Sequence, residues 1–350
     1  MKCTVTEAIN LAHKKILRES KNSVCMGLGI NDPKRIFGTS IDLLEEFGSE
    51  RIIEPPTSEN ALTGIIFGLA LKGFSTCLIH QRLDFALLSF DQIINTLSKW
   101  KFMFGEQNDN TKCLIRMIIG RGWGQGPTHS QSYHSFFAGL PGIDVYYPYD
   151  PETAYKNLVS GMSTGRPSIM IEHRWLHNAL DLEFSEPEDF SEIYNINSIM
   201  EGSDFTIFTY GYLVPEAIKA CKYLRKNDIN VNLLTTSFLS DINLDPIKKS
   251  VKTTKKLLII EPFYQESSIS STIITKLVCQ NDFRRNIEEI DLISLPFENE
   301  STSYFKTNNR YTNWIDIVIK ISNSLNKKII INEQLIEYHD VPGDWFKGPF

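Results

Sequence analysis

An acidic residue at a predicted junction between a strand and a helix is the first candidate for chemistry. Glu59 follows the strand-like residues 51–53 and precedes the apolar segment Leu62–Leu71. This placement predicts a carboxylate at the edge of an α/β sheet, among apolar residues, where it could hydrogen-bond a heterocyclic ring and exchange a proton with it. The alternative is structural: Thr57 or Ser58 caps the helix, and Glu59 lies in its first turn, where the helix dipole favours an acid.

A second group of polar side chains follows the next predicted strand, Ser75–His80. His80, Gln81 and Arg82 come at its carboxyl end, the edge at which open α/β sheets bind ligands. Arg82 could bind a carboxylate or a phosphate there. Phe85 could stack on an aromatic ring at the same edge, although a core aromatic at the start of a helix is the simpler interpretation.

A glycine-rich loop supplies the third group. Glycine occupies every other position from Gly120 to Gly126, which frees the backbone to approach a ligand, and His129 follows with an imidazole that titrates near neutrality. The glycine spacing differs from the dinucleotide-binding fingerprint, and no helix follows the run directly. The alternative for His129 is an exposed loop residue. We expect His134 to support the site from behind or to lie at an interface.

Composition and charge narrow the class of protein. The chain has 350 residues, 42% hydrophobic and 22% charged, which is typical of a globular protein with room for two domains. The net charge of −6 gives no basic surface for nucleic acid. No segment approaches membrane-spanning length, and the N-terminus enters an amphipathic helix without the apolar core of a signal peptide.

The six cysteines indicate a reducing compartment. They are scattered without a CxxC pair or a histidine at metal-ligand spacing, and most lie in apolar stretches. This pattern predicts buried, reduced thiols in a cytoplasmic protein and no metal site. The residues are Cys3, Cys25, Cys77, Cys113, Cys221 and Cys279.

Strand-like runs alternate with helix-period segments in the first half of the chain, which predicts a doubly wound parallel-sheet α/β domain over residues 1–185. The strands expected there are Ser23–Leu28, Ser75–His80, Thr111–Gly120, Val145–Pro148 and Ser168–His173. The helices expected there are Ile41–Phe47, Leu62–Leu71, Leu87–Phe104 and Glu152–Met162.

A polar, acidic stretch at Asp181–Glu192 marks a change of domain. Residues 200–325 are predicted to form a smaller α/β domain, and residues 329–350 an aromatic-rich tail that packs on a surface or a partner. The strands expected in the second domain are Asp204–Tyr210, Val231–Leu234, Leu257–Glu261 and Glu289–Ile293. Its expected helices are Val214–Lys226 and Ser267–Cys279.

Taken in order, these motifs resemble a known family. Four motifs are similar in order and spacing to those of the beta subunit of the 2-oxo acid dehydrogenase first component. They are Glu59, the Asp84-Phe85 pair with residues 90–95, the loop ending at His129–Ser132, and residues 140–145. That family belongs to a wider transketolase-like group of thiamine diphosphate enzymes. The resemblance covers roughly residues 4–325 and is strongest over 51–175.

The resemblance implies a cofactor and a role for each candidate residue. Glu59 would contact and activate the pyrimidine ring of thiamine diphosphate, Phe85 would stack on that ring, and Thr57 would complete the cofactor contacts. His129 would lie near the substrate and the acyl acceptor. His80, Gln81 and Arg82 would line the substrate side. In the family, the C-terminal domain is mostly structural and forms the oligomer.

The resemblance also implies a partner. The family holds Mg²⁺ and the diphosphate group with a Gly-Asp-Gly segment and an asparagine, and this chain has no Gly-Asp-Gly. A separate alpha-type subunit is therefore expected to bring both, in an α2β2 assembly acting on a 2-oxo acid, with a lipoyl-domain acyltransferase as a further partner. The alternatives are a subunit of a split transketolase-like transferase that carries a ketol or acetaldehyde unit, and a non-catalytic scaffold.

The sequence departs from the family at the predicted substrate wall. The pyruvate type has an acid and several apolar residues where this chain has Ile79, His80, Gln81 and Arg82. His134 replaces a glutamate of the branched-chain type. The more polar wall predicts a substrate or an acceptor other than pyruvate with lipoyl-lysine.

Overall fold

Two sheets, one parallel and one parallel except for an edge strand, organise the two halves of the chain in the computed structural model. The structure describes residues 2–105, 110–120, 125–179, 182–303, 306 and 310–331. Within these ranges, no helix has both the length and the apolar character needed to cross a membrane. The N-terminal half forms the larger domain and the C-terminal half the smaller, as the sequence predicts.

The first sheet has six parallel strands in the spatial order β3-β2-β4-β5-β7-β6. Every residue of β2, β4, β5 and β7 is buried, because helices cover both faces of a parallel sheet. A short antiparallel pair, β1 with β8, lies beside it. The strands are β1 (Lys2–Cys3), β2 (Ser23–Gly27), β3 (Ile52–Ile53), β4 (Ser75–His80), β5 (Cys113–Ile119), β6 (Asp144–Tyr146), β7 (Ser168–His173) and β8 (Leu182–Glu183).

The helices of the first domain begin at residues suited to that position. Thr4 and Glu7 form a capping box at α1, and Asp150 caps α7 ahead of a proline. Helices α1 and α7 pack against each other, and α3 packs on β4. The helices are α1 (Val5–Glu19), α2 (Leu43–Phe47), α3 (Glu59–Leu71), α4 (Leu83–Ala86), α5 (Trp100–Phe104), α6 (His134–Ala138), α7 (Pro151–Ser163) and α8 (Arg174–His177).

The prediction of one helix over Leu87–Phe104 is wrong in detail. The segment is a 3₁₀ turn at Leu87–Ser89, a π-helix at Asp91–Leu97, and then α5. Side chains there bond at a spacing of four residues: Asn95 Nδ2 donates to Asp91 Oδ1 at 2.9 Å, and Ser98 Oγ donates to the Ile94 carbonyl at 2.7 Å. A hydroxyl bonded to a backbone carbonyl competes with the regular α-helical ladder, which periodicity alone does not reveal.

The second sheet has five strands in the order β13-β12-β10-β11-β9. Four are parallel, as predicted, but the antiparallel edge strand β9 was not predicted, since it is short and mostly half-buried. Helices α10, α12 and α13 were also missed. The strands are β9 (Asn197–Met200), β10 (Phe205–Tyr210), β11 (Val231–Thr236), β12 (Lys256–Tyr264) and β13 (Glu289–Leu295). The helices are α9 (Leu213–Arg225), α10 (Asp245–Thr254), α11 (Ile269–Val278), α12 (Asn281–Asn286) and α13 (Trp314–Ser324).

Backbone hydrogen bonds join the two domains directly. The Tyr147 amide donates to the Ser237 carbonyl at 2.7 Å, and the Leu239 amide donates to the Val145 carbonyl at 2.8 Å. Ser240 Oγ adds a bond to the Ile143 carbonyl at 3.1 Å. Most of the predicted tail, residues 332–350, lies outside the described residues.

Candidate active site

A cleft of about 140 Å³ opens at the carboxyl edge of the first sheet, between the ends of β2 and β4. It brings together six of the seven residues that the sequence singles out for a site, although they come from two separate segments of the chain. Its lining is Leu28, Phe37, Thr57, Ser58, Glu59, Leu62, Leu78, Ile79, His80, Gln81, Arg82 and Phe85.

Glu59 is the first residue of α3, three residues earlier than the predicted start of the helix. Of the two alternative caps, Thr57 and Ser58, it is Ser58 that occupies the N-cap position, and its side chain makes no capping bond. The Glu59 side chain is half-buried and faces the cleft. No hydrogen bond or ion pair to its carboxylate is found among the described residues.

His80 ends β4 with its side chain 7% exposed. Within the described part of the chain, its Nε2 atom has no hydrogen-bond partner. Burial lowers the pKa of His80 to about 4, because the charged imidazolium loses its hydration. The side chain is therefore neutral at physiological pH, and it offers the cleft one nitrogen that can accept or donate a hydrogen bond.

Gln81 and Arg82 both line the cleft and also hold its walls together. Gln81 Nε2 donates to the Leu28 carbonyl at 2.6 Å, which joins the end of β4 to the end of β2. Arg82 Nη1 donates to the Gly120 carbonyl at 3.2 Å, and Nη2 donates to Gln125 Oε1. Burial lowers the pKa of Arg82. The guanidinium stays charged, because the usual pKa of arginine is far above neutrality. The glycine-rich loop is thus fastened to the cleft by a cation.

Phe85 and His129 meet at the mouth of the cleft. Their ring centroids are 5.5 Å apart and their planes nearly perpendicular. Phe85 is 45% exposed, so the interpretation of a core aromatic is wrong. His129 lies at the end of the described part of the glycine-rich loop, and residues 121–124 of that loop lie outside the described residues. Asp84 fixes the loop by accepting from Gln131 Nε2 at 2.8 Å.

His134 lies behind the glycine-rich loop, where the two domains meet. The sequence predicted that this side chain would either support the site from behind or lie at an interface, and its contacts cross the interface between the domains. Its Nε2 atom is 3.1 Å from Glu261 Oε1 and 3.1 Å from the Tyr210 hydroxyl, and its Nδ1 atom is 2.8 Å from Ser132 Oγ. Burial alone would raise the pKa of Glu261, but hydrogen bonds from His134, Tyr210 and Ser270 hold it below its usual range. The sequence did not predict the contacts of Glu261 and Tyr210, because both residues lie in strands whose pattern indicates only a buried core.

A buried ion pair beneath the cleft was also missed. Arg116 of β5 donates to Glu172 of β7, with Nη2 2.7 Å from Oε2, and both side chains are fully buried. Burial favours the neutral acid, but the Arg116 charge and hydrogen bonds lower the pKa of Glu172 to about 2. The signal in the sequence is a charged residue inside an otherwise apolar strand, at each of the two positions.

Comparison with known proteins shows where this architecture recurs. Residues 1–178 match the family described as the transketolase pyrimidine-binding domain, and residues 195–304 match the transketolase C-terminal domain. The pyruvate dehydrogenase E1 component subunit beta of Staphylococcus aureus strain Mu50 is 27% identical over 274 residues, which cover 78% of this chain and 84% of the relative. A Staphylococcus epidermidis protein of the same name is 26% identical over the same length.

Solved structures share the fold at lower identity. An inactive beta4 tetramer of a split-gene transketolase has a TM-score of 0.73 and 17% identity, and the match covers 94% of this chain and all of that one. A transketolase mutant from Pichia stipitis has a TM-score of 0.65 and 15% identity, and the match covers 93% of this chain and 46% of the longer one. Both comparisons concern the fold of the two domains together.

Proposed function

The chain belongs to the transketolase pyrimidine-binding family, and we propose that it is the beta-type subunit of a thiamine diphosphate-dependent dehydrogenase acting on a 2-oxo acid. The observation that carries this proposal is the Glu59 carboxylate, which has no partner among the described residues and faces a cleft with an apolar side and an exposed aromatic ring at its mouth. The similarity to the E1 beta subunits supports the same conclusion, because it spans most of both chains.

The residues of the cleft fit the pyrimidine half of this cofactor. Leu28, Leu62 and Ile79 offer an apolar surface to a flat ring, Phe85 offers a face for stacking, and Glu59 offers an acceptor without a competing partner in the described structure. When bound, thiamine diphosphate supplies a nucleophilic carbon and an electron sink for the loss of carbon dioxide.

The chain's own side chains then have distinct tasks in this proposal. Glu59 bonds a ring nitrogen of the pyrimidine and holds a proton there, which shifts the acid–base balance of the ring. Phe85 and Thr57 position the ring. His129, against the edge of Phe85, is placed to exchange a proton with the substrate or the acceptor. Neutral His80 contributes one hydrogen bond, and Arg82, fixed through its outer nitrogens, attracts an anionic group.

Replacing Glu59 by glutamine tests the proposal. Glu59→Gln keeps the size of the side chain but cannot hold the proton, so turnover of the reconstituted enzyme should fall by about 100-fold or more, while assembly is unchanged. Glu50→Gln, an exposed acid in the turn before β3, is the matched control and should leave turnover unchanged. Near-normal turnover in Glu59→Gln would refute the assignment.

The second half of the proposed site comes from an alpha-type subunit. The chain has no Gly-Asp-Gly segment for Mg²⁺ and diphosphate. The outward face of α3 suits a close-packed partner: Gly68 leaves open space there, and Ile65, three residues earlier, is 50% exposed. We expect the isolated chain to bind thiamine diphosphate weakly. Calorimetry that shows tight, Mg²⁺-dependent binding to this chain alone would contradict a divided site.

A second candidate is a subunit of a split transketolase-like transferase, with no lipoyl partner. The polar wall formed by His80 and Arg82 favours it, because a hydroxylated or phosphorylated substrate could bond both. Supplying the reconstituted enzyme with either lipoamide or a sugar aldehyde separates the two, since only one acceptor should yield product. A scaffold without catalysis predicts no product with either and is disfavoured by the presence of Glu59 and His129 beside one cleft.

A further inference from the structure

Two cysteines and a histidine meet in the core beneath the cleft. Cys25 of β2 and Cys77 of β4 are directly opposed on neighbouring parallel strands, and His13 of α1 lies over them. All three side chains are fully buried, and one His13 nitrogen and the two sulfurs lie within 4.8 Å of one another. The sequence predicted cysteines without a histidine at metal-ligand spacing, and it is the fold that brings these three together.

Arg116 fixes the tautomer of His13. Its Nη1 atom is 2.9 Å from His13 Nε2, and a guanidinium can only donate, so Nε2 must accept. The proton of the neutral imidazole is therefore on Nδ1. That atom is 3.4 Å from Cys25 Sγ, so the N–H group points at the sulfur. A metal bound by all three groups would need the same nitrogen unprotonated, and the arrangement thus favours thiol chemistry over metal binding.

The surroundings make the two sulfurs unequal. A hydrogen bond from Cys77 is the largest cause that holds the pKa of the Cys25 thiol well below its usual value; His13 and the positive charge of Arg116 act in the same direction, and burial opposes them. Burial and the Cys25 sulfur raise the pKa of Cys77. By contrast, burial raises the pKa of Cys113 and of Cys221 to about 12. The surroundings thus favour a negative charge on the Cys25 sulfur rather than on its neighbour Cys77.

We propose that Cys25 and Cys77 form an oxidation site at which a peroxide converts the two thiols into a disulfide. The Cys25 thiolate attacks one peroxide oxygen, the O–O bond breaks, and a sulfenic acid and hydroxide form. The Cys77 sulfur then attacks the Cys25 sulfur, an S–S bond forms, and the sulfenic hydroxyl leaves with the Cys77 proton as water. The two sulfurs together lose two electrons, which reduce the peroxide.

The position of the pair links its oxidation to the cleft. Cys77 is followed directly by Leu78, which lines the cleft, and Cys25 precedes the lining residue Leu28 by three residues, or about 10 Å along a strand. A disulfide requires the two Cβ atoms to approach to about 3.5–4.5 Å. We therefore expect oxidation to draw the ends of β2 and β4 together. This site does not depend on the proposed function.

Peptide mapping of the full chain tests the proposal. The chain, in a Cys279→Ser background that removes the exposed thiol, is treated with hydrogen peroxide at pH 7, denatured in the presence of an alkylating agent, and analysed by mass spectrometry. Cys25 and Cys77 should lose their free thiols together, about tenfold faster or more than Cys113 and Cys221, which serve as internal controls. A linked peptide pair lighter by two hydrogen atoms should appear and be reversed by dithiothreitol.

Two variants assign the roles. Cys77→Ser should stop the reaction at a Cys25 sulfenic acid, which dimedone traps. His13→Leu should slow the loss of the Cys25 thiol by about tenfold, because the N–H donor is gone. If the unmodified pair reacts no faster than Cys113 and Cys221, or if Cys25 is oxidised without a link to Cys77, the proposal is wrong. These outcomes come from the Cys279→Ser chain and do not require the His13 or Cys77 variants to fold.

Discussion

Two buried histidines, His80 and His177, couple the stability of the first domain to pH. Burial is the main cause that lowers the pKa of each to about 4. The folded pKa is therefore below the unfolded value of about 6.5, and the unfolded chain binds more protons. Their contribution to stability is complete above about pH 6.5 and is lost as the pH falls toward 4, by up to about 3 kcal/mol for each histidine.

Urea denaturation at several pH values between 7.5 and 4 measures this effect. As the pH is lowered, the free energy of unfolding should decrease in the original chain. It should decrease less steeply in His80→Leu, which has no imidazole to protonate at this position. His177→Gln tests the second histidine in the same way. An unchanged slope in both variants would show that neither side chain is kept neutral by the fold.

Arg82 combines a structural role with a predicted binding role, and two variants separate them. Arg82→Ala removes both the charge and the bonds to the glycine-rich loop, whereas Gln125→Ala removes only the Gln125 bond. If the charge binds an anionic substrate, Arg82→Ala should raise KM by about tenfold with a smaller change in kcat, and Gln125→Ala should change KM little. Steady-state kinetics of the reconstituted enzyme decide. An equal rise in KM in both variants would mean that Arg82 acts by holding the loop.

At the scale of elements, helix α3 presents a face of small residues and one isoleucine that is largely exposed in the described part of the chain. Ala61, Gly64, Ile65 and Gly68 follow one another along this face, and an added Cβ at Gly68 meets nothing within 4 Å. Gly68→Leu should therefore not destabilise the isolated chain, since leucine has a higher helix propensity by almost 1 kcal/mol. If a partner helix packs here, the same change should weaken association strongly.

Gly68→Ala provides the graded control, because a single methyl group should weaken association much less than the leucine side chain. Sedimentation of the chain with its alpha-type partner measures the association, and thermal unfolding of the chain alone measures its stability. Full-strength association of Gly68→Leu would place the partner on another surface.

The elements that position the site were largely predictable, because apolar runs dictate buried parallel strands. The bounds of β4 and β7 agree with the predicted segments, and both strands are buried throughout. The start of α3 was predicted late, since Glu59 and Asn60 are polar and helix periodicity begins only after them. The edge strand β9 was missed because it is short and mostly half-buried.

The candidate site was predictable to the extent that it lies at strand ends. Glu59, His80 and Phe85 could be assigned to one edge, because parallel strands end on the same side of a sheet. The ion pair of Arg116 with Glu172, by contrast, joins residues 56 positions apart in sequence. No local sequence pattern predicts which two buried charges form a pair. The Arg116–Glu172 ion pair and the Cys25–Cys77 pair could therefore be found only in the three-dimensional structure.

At the scale of the whole molecule, a buried cluster at the domain contact joins the two halves. His134 comes from the first domain, and Glu261 and Tyr210 come from the second, and all three are buried. The Tyr210 hydroxyl also donates to Glu261 Oε2 at 2.7 Å. The Glu261 carboxylate also accepts from Phe263 and Ser270, and this buried acid stabilises the contact only while its bonds are made, because removing one partner leaves polar groups without compensation.

Glu261→Gln should therefore destabilise the protein by about 3 kcal/mol or more, as breaking a buried charged network does. Glu19→Gln, which removes an exposed pair with Lys15, is the control and should cost less than about 1 kcal/mol. Because the cluster couples the domains, the urea transition of Glu261→Gln should also broaden or split into two, while the control keeps a single transition. A double-mutant cycle that combines Glu261→Gln with His134→Leu measures the coupling energy between these two side chains. A coupling energy near zero would show that the backbone bonds between Val145–Tyr147 and Ser237–Leu239 hold the domains together instead.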